Sequence, residues 1–449
     1  MTVYASISKD QTIIDEAVAS DDFRRIGRVV RQLPSIRKRL TIDQIKPGLV
    51  GEVCFTAREI LGFPPVLEES SPKSRSNGHS IEAQLWAALL AGVVLLDGKK
   101  FSDSEKVFTT ALEFLTGKHR PAADHLNAKL VFFLAVAVEH QGRLPELYNK
   151  FLALYRTACL HNNLSTQAVL LNSLLRILVN GRQFEQCVKL VEKTNFPETR
   201  SNADYARYLF YVGRIKSVRL EYSEAFAKLS QACKKAPKGR ASFGFRTIAT
   251  KFAVIAELLT GDIPDRSLFN DPELSSALKP YFVVTQAVRT GDVSLFEQAM
   301  EKFHAQFEKD ETLSLVKRLH HNVLKAGLRA LNAAYSKISL EDVARKLSLP
   351  SAEVAAGLAA KAIADGVIDG RIEGSVLVSS WIGDLYSTEE PQAQLHKRIA
   401  FCLQLHEDSL KAMQFPDKKL KLDNIDDQRR REEEELDLEG DLMDDDMSL

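Results

Sequence analysis

Residues 337–380 read KISLEDVARKLSLPSAEVAAGLAAKAIADGVIDGRIEGSVLVSS. Ser339 stands before an apolar stripe of Leu340, Val343 and Leu347, with Asp342 at the capping-box position, so the spacing predicts a capped helix. Leu349-Pro350 breaks it. Ser351 caps a second helix with Val354, Leu358 and Ala362 on its predicted apolar face, and Gly366 stops it. Two β-prone runs follow, Val367 to Ile372 and Val376 to Ser380, joined by Glu373-Gly374-Ser375. A helical pattern over about 313–335 precedes all of this. The order helix, helix, helix, hairpin predicts a winged helix.

Winged helices often read DNA, so charge has to decide. Residues 351–380, the would-be recognition helix and wing, hold Lys361 and Arg371 against Glu353, Asp365, Asp369 and Glu373. A net charge of −2 is the wrong sign for a duplex reader, which needs several phosphate contacts from Lys or Arg. A protein-binding winged helix is the favoured reading.

Upstream, from about residue 81, the periodicity is helical, and glycine or proline interrupts it repeatedly, mostly every 15 to 25 residues: Gly98, Gly117, Gly142, Gly181, Pro197, Gly213, Pro237, Gly261, Gly291. Short breaks between apolar-striped helices predict antiparallel hairpins. The tetratricopeptide register fits best at Gly213, Tyr222, Ala225, Leu229, Ala232 and Pro237. Small residues let two helices approach, bulky ones fill the groove, and Pro237 ends the helix. Weaker copies read Gly92, Phe101, Ser104, Phe108, Ala111, then Ala135, Leu144, Leu147, Phe151, then Leu175, Phe184, Cys187, Val191. Copies starting at 92, 135, 175 and 213 are irregular hairpins, longer than the 34-residue ideal. Four buried large side chains on a 15-residue helix contribute roughly 6–12 kcal/mol, against a backbone ordering cost of roughly 15–30 kcal/mol. Each hairpin therefore needs neighbours, and the outer surfaces of the stack become interaction faces.

Downstream, 389–415 reads as one long helix stopped by Pro416. Its stripe of Leu395, Ile399, Cys402, His406, Leu410 and Met413 has heptad-like steps suited to a bundle with partner helices. Packing onto its own domain is the alternative. His406 reads as an interface histidine, not a ligand. Arg429 to Arg431 face Glu433 to Glu435 at i,i+4. Residues 436–449 read as disordered.

The chain has 449 residues with 60 Lys+Arg and 60 Asp+Glu, and this zero is a cancellation. Residues 432–449 hold ten acids and no base, leaving the other 431 residues with 60 bases and 50 acids, a net of +10. The bases gather at 22–46 and at 228–251. The second stretch contains Lys228, Lys234, Lys235, Lys238, Arg240, Arg246 and Lys251 and no acid. It suits an acidic protein surface better than nucleic acid, or else is a solvated helix end.

Other classes are excluded. A hydrophobic content of 45% is too high for a disordered body. The longest apolar run, Leu85 to Leu96, has twelve residues where a bilayer span needs about 20. No secretory leader is evident at the N-terminus. Five cysteines without a C-x-x-C (Cys54, Cys159, Cys187, Cys233, Cys402) predict reduced core thiols in the cytosol or nucleus. Enzyme motifs are missing. Gly92 to Lys100 has one residue too many for a phosphate loop, and its Val-Val-Leu-Leu suits a buried helix. His320 and His321, adjacent on a helix, point about 100° apart and cannot chelate one metal. No cofactor, metal or catalytic residue is expected.

Helical repeats running into a winged helix resemble the PCI family of scaffold subunits in the proteasome lid, the signalosome and eukaryotic initiation factor three. The likeness is closest to proteasome lid members. Its carriers include Tyr205-Ala206-Arg207-Tyr208-Leu209, Gly213-Arg214-Ile215-Lys216, Leu220-Glu221-Tyr222-Ser223-Glu224-Ala225, Gly261-Asp262-Ile263-Pro264-Asp265-Arg266, Thr285-Gln286-Ala287-Val288-Arg289-Thr290-Gly291, Tyr386-Ser387-Thr388-Glu389-Glu390-Pro391-Gln392 and Lys411-Ala412-Met413-Gln414-Phe415-Pro416. It is close from about 200 to 416. Over 20–200 it is looser, anchored by Leu33-Pro34-Ser35 and Arg39-Leu40.

The resemblance implies a non-catalytic lid scaffold in a hetero-oligomeric complex of the cytoplasm and nucleus. Family members pair through their winged helices and join a common bundle through their C-terminal helices. It also implies a small acidic lid protein as partner. The apolar run length argues against a membrane, and the charge of 351–380 argues against nucleic acid.

The expected fold is an all-α, TPR-like hairpin solenoid followed by a PCI winged helix with a short β-hairpin wing, a long C-terminal helix and a disordered acidic tail. The expected division is an N-terminal helical appendage and linker (1–80), helical repeats (81–201), a PCI domain (202–382), a bundle helix (383–415) and a charged tail (416–449). Three surfaces are candidates for assembly. The wing offers Val367, Ile368, Ile372, Val376 and Val378. The C-terminal helix offers Leu395, Ile399, Cys402, Leu410 and Met413. The basic patch offers Lys234, Lys235, Lys238 and Arg240. A signalosome or initiation-factor scaffold is the nearest alternative, and a winged-helix nucleic-acid binder is the reading from another class.

Overall fold

The computed structural model describes residues 3–20, 22–40, 49, 52–61, 80–115, 120–197, 201–237, 239, 242–379, 385–387 and 389–414. Residues 64–79 of the linker expected at 64–80, part of the basic stretch at 41–46, and the acidic tail lie outside the described residues, as do Lys238 and Arg240, whereas Ser80 caps the helix that follows. The chain divides into two units, the first spanning Met1–Ala256 and the second beginning at Glu257.

The first unit opens with α1 (Val3–Ala19), α2 (Phe23–Arg31), α3 (Leu33–Arg37) and α4 (Phe55–Ile60). Four hairpins follow: α5 (Ile81–Asp97) with α6 (Phe101–Leu115), α7 (Asp124–His140) with α8 (Tyr148–Leu160), α9 (Leu164–Asn180) with α10 (Phe184–Lys193), and α11 (Asn202–Val218) with α12 (Tyr222–Lys235). The next helix, α13 (Phe243–Thr260), runs across the division. Helices α1–α4 are not an appendage. Ile14, Ala17, Ile26 and Val29 are buried in one continuous core with Trp86, Phe108 and Leu130 of the hairpins. Asp15 accepts a 2.8 Å hydrogen bond from the Ser80 N–H, and Arg37 pairs with Asp97 at 2.6 Å.

The predicted small-to-large packing is present in two of the repeat copies. A Cβ on Gly92 would lie 2.3 Å from the Phe108 ring, and one on Gly213 would lie 2.6 Å from Leu229 Cγ. The same small-to-large contact thus recurs in the first and last hairpins. Seven residues beyond each of 92, 135, 175 and 213 the chain turns left-handed: Lys99 (φ 58°), Gly142 (75°), Arg182 (54°) and Leu220 (73°). The next N–H donates five residues back in every copy: Lys100 to Leu95, Arg143 to Val138, Gln183 to Leu178 and Glu221 to Lys216, at 2.9–3.2 Å. This is the Schellman turn, which favours glycine at the left-handed position. Only one copy has it. Leu220 is exposed, so Leu220→Gly is expected to stabilise the chain by about 1 kcal/mol. A rise in Tm on thermal unfolding checks this.

Helix α7, taken with the preceding turn (Pro121–His140), is long and apolar enough to cross a membrane. Here Leu126, Leu130, Val131, Phe133 and Ala137 are buried among the neighbouring hairpins, as in a core helix. Cys54 and Cys187 are buried, Cys233 is half-buried, and Cys159 and Cys402 are exposed. The expectation of core thiols therefore fails for the last two, which sit on outward helix faces.

The second unit continues with α14 (Arg266–Phe269), α15 (Ser275–Thr290), α16 (Val293–Lys302), α17 (His304–Lys309) and α18 (Leu313–Ala334). Buried Tyr281 on α15 donates to Asp310 Oδ2 at 3.0 Å and meets Thr312 Oγ1 at 2.9 Å, which fixes α15 against the start of α18. Gly291 ends α15 in the left-handed conformation (φ 73°), and α18 crosses that turn at backbone contact. A Cβ on Gly291 would lie 2.4 Å from the Gly327 nitrogen.

The winged helix then forms from β1 (Lys337–Ser339), α19 (Leu340–Lys346), α20 (Ala352–Ala364), β2 (Gly370–Glu373) and β3 (Val376–Ser379). Ser339 and Ser351 cap α19 and α20, accepting from the N–H groups of Asp342 (3.2 Å) and Val354 (3.3 Å). The sheet has three strands in the order β1-β3-β2, all antiparallel, where the sequence suggested a two-stranded wing. The added strand is three residues long and ends on the cap of α19, so no alternation announces it. The predicted face of α20 is also corrected. Ala355, Ala359 and Ala362 are buried, whereas Val354 is exposed. Alanine lets α20 pack closely and rotates the larger side chains outward.

Candidate assembly surfaces

The sheet register decides which wing residues face out. Ile338, Leu377 and Ile372 form one cross-strand row, and Leu377 is 1% exposed, so this row faces the core. Val376 and Val378 alternate with Leu377 and lie on the opposite face, in rows with Ser339 and Glu373 and with Lys337 and Arg371. Of the five wing candidates, Val376 and Val378 have outward positions. Both are half-buried, as are Ile372 and Val367, and Ile368, 3% exposed, is core. The displacement has a local cause. Gly366 (φ 68°) turns the chain, and the Val367 N–H donates back to Ala362 at 2.9 Å, which points Ile368 inward before the strand begins.

Beside the wing, the end of α20 is tied to α18 by Lys325 and Asp365 at 2.8 Å. That bond holds the Asp365 carboxyl below the ordinary carboxylate range. Burial, with Lys325 and Lys361 nearby, holds His321 below the usual imidazole range. His320 instead lies 6.0 Å from the Phe296 ring, so the adjacent pair diverges as predicted. Among the described residues no three His, Cys, Asp or Glu side chains converge as a metal would require.

The C-terminal helix, α21 (Glu390–Gln414), is 25 residues long. Leu395 and Ile399 are each 57% exposed, Met413 71%, and Leu410 and Cys402 are also exposed. The expected stripe is therefore uncovered in the single chain. Sequence reasoning missed Phe401 (66% exposed), Leu403 and Leu405. At 100° per residue, Leu403 widens the first stripe beside Leu410. Phe401 and Leu405 form a second one, rotated by roughly 120°. The signal was present, but following one heptad seam left the other aside.

At the end of α12, Lys234 and Lys235 are exposed. Cys233 lies 3.8 Å from Thr250 of α13. Burial pushes the Cys233 thiol up, while the charge of Arg246 opposes the rise. The last turn of α12 and the first turns of α13 thus bring Lys234, Lys235 and Arg246 to one end of the pair.

Stacked hairpins, a winged helix with an acidic recognition face, and a long uncovered amphipathic helix define a PCI-type scaffold. Comparison with known families bears this out. The chain matches the PSMD3-like N-terminal TPR repeats over residues 2–285, the PCI domain over 300–379 and the C-terminal family of proteasome regulatory subunits over 384–448. It is 38% identical to the probable 26S proteasome non-ATPase regulatory subunit 3 of Anopheles stephensi, covering 96% of this chain and 89% of that protein. It is 37% identical to the 26S proteasome non-ATPase regulatory subunit 3 of Dictyostelium discoideum (98% and 94% covered) and 36% identical to homolog B of Arabidopsis thaliana (90% and 86%). The chain belongs to the family of 26S proteasome non-ATPase regulatory subunit 3.

Proposed function

We propose that this chain is a non-catalytic structural subunit of the lid of the 26S proteasome regulatory particle, working in the cytoplasm and nucleus in support of ubiquitin-dependent degradation. The observation that carries the reading is α21. Seven large apolar side chains on two stripes of one helix touch water in the isolated chain. Burying each would contribute about 1.5–3 kcal/mol, and two stripes call for neighbours on two sides. The outer face of the wing, with Val376 and Val378, is the second proposed contact, reserved for another PCI protein. The basic stretch with Lys234, Lys235, Lys238 and Arg240 is the proposed contact for a small acidic lid protein.

A winged-helix nucleic-acid role is disfavoured by the −2 charge of 351–380. Affinity purification of the tagged full chain, with mass spectrometry of what accompanies it, tests the assignment. Regulatory-particle subunits are expected. Signalosome or initiation-factor subunits in their place would overturn it.

A further inference from the structure

Thirty-five residues follow Gln414, and the last eighteen carry ten carboxylates and no base. They are not uniformly polar. Leu436, Leu438, Leu442, Met443 and Met447 are set among the acids. The complementary chemistry is found in the first unit. Lys234 and Lys235 are exposed at the end of α12, Arg246 adjoins them on α13, and Phe243 and Ile248 stand exposed on α13. No acid occurs in 228–251. The nearest acid along α12, Glu224, is bonded to Lys216.

We propose that the acidic tail of this chain docks on its own Lys234–Lys235–Arg246 surface and thereby competes with any acidic partner for it. The inference rests on the proposed acidic contact only for its consequence. The docking itself follows from charge and apolar complementarity. Extended, 35 residues span roughly 115 Å. A tethered segment of this length is present at an effective concentration on the order of 1 mM. With an intrinsic Kd near 100 µM, the tail would be docked about nine-tenths of the time and would weaken a competitor roughly tenfold.

The test uses the full chain and a synthetic fluorescent peptide of residues 432–449 as probe. Three proteins are compared at about 50 mM salt: the native chain, a chain with the ten tail acids replaced by Asn or Gln, and that chain with Lys234→Glu and Lys235→Glu added. The neutralised chain is expected to bind the probe about tenfold more tightly than the native chain. The added lysine reversals are expected to abolish the gain, and raising salt to about 500 mM to weaken all binding. Equal affinity of the native and neutralised chains would overturn self-docking. A gain that survives the lysine reversals would overturn the assigned surface. Neither result depends on whether the chain enters a proteasome lid, and failure to enter the lid would leave both readouts unchanged.

Discussion

Replacing Leu395, Ile399 and Met413 together by aspartate is expected to remove the chain from its assembly while leaving both of its units folded. The three side chains are more than half exposed, so little packing among the described residues is lost. In a bundle each would bury its apolar surface, and three charges would then have to enter an apolar seam. With a little over half of each side chain left to bury, losing the burial alone costs about 1–2 kcal/mol per side chain, so the combined loss is about 3–5 kcal/mol, a factor of at least roughly 100 in affinity. The native chain and the variant should show the same far-ultraviolet circular dichroism and the same Tm. Only the native chain should recover other regulatory-particle subunits on affinity purification. Unchanged recovery would remove α21 from the assembly. The same substitutions at Phe401 and Leu405 ask whether the second stripe also has a neighbour, and a comparable loss is expected.

Gly327→Val is expected to unfold the second unit. A Cβ at Gly327 would lie 2.6 Å from Leu347 Cδ2 and 2.8 Å from the Gly291 carbonyl oxygen. The leucine end can move, but the carbonyl belongs to a left-handed turn packed against α18 and cannot. The helix must therefore lift off the turn, and the winged helix that begins where α18 ends is built on the same contact. Overpacking of this kind costs about 1–3 kcal/mol before the lost contacts are counted, so a total near 4 kcal/mol is expected. Gly357→Ala on α20 is the control, because nothing lies within 4 Å of its Cβ position. It should be neutral or gain up to about 1 kcal/mol from helix propensity. Thermal unfolding of the two variants separates the cases. Equal Tm values would show that the crossing is not close-packed.

The features that were legible in the sequence are those in which one residue type does a local job. Ser339 and Ser351 mark helix starts because a hydroxyl can satisfy an orphan N–H. The small residues at 92 and 213 mark hairpins because only they admit Phe108 and Leu229. What stayed hidden depends on distant partners. Gly327 looks like a weak helix residue until Gly291 is placed beneath it. Residues Ile14 and Ile26 suggest a separate helical piece until they are found in the same core as Trp86. The face of α20 was misjudged because an alanine buries less area than a valine and so reads as a weaker signal, yet three alanines decide how closely the helix packs. The wing residues were chosen by β propensity, which does not distinguish the row holding Leu377 from the row holding Val378. Sheet register does.

The first helices of the four hairpins all have 17 residues, whereas their second helices have 15, 13, 10 and 14. At 1.5 Å per residue the first set are struts of about 25 Å. The stack thus resembles a ladder with rungs of one length, each fastened by the same left-handed corner. The changing separation of the copies is absorbed on the other rail, in the second helices and the connections after them. A tag or label inserted beyond Leu115 or Lys193 would extend that tolerant rail. One placed at Lys99, Arg182 or Leu220 would cut a corner on which the spacing of the rungs depends.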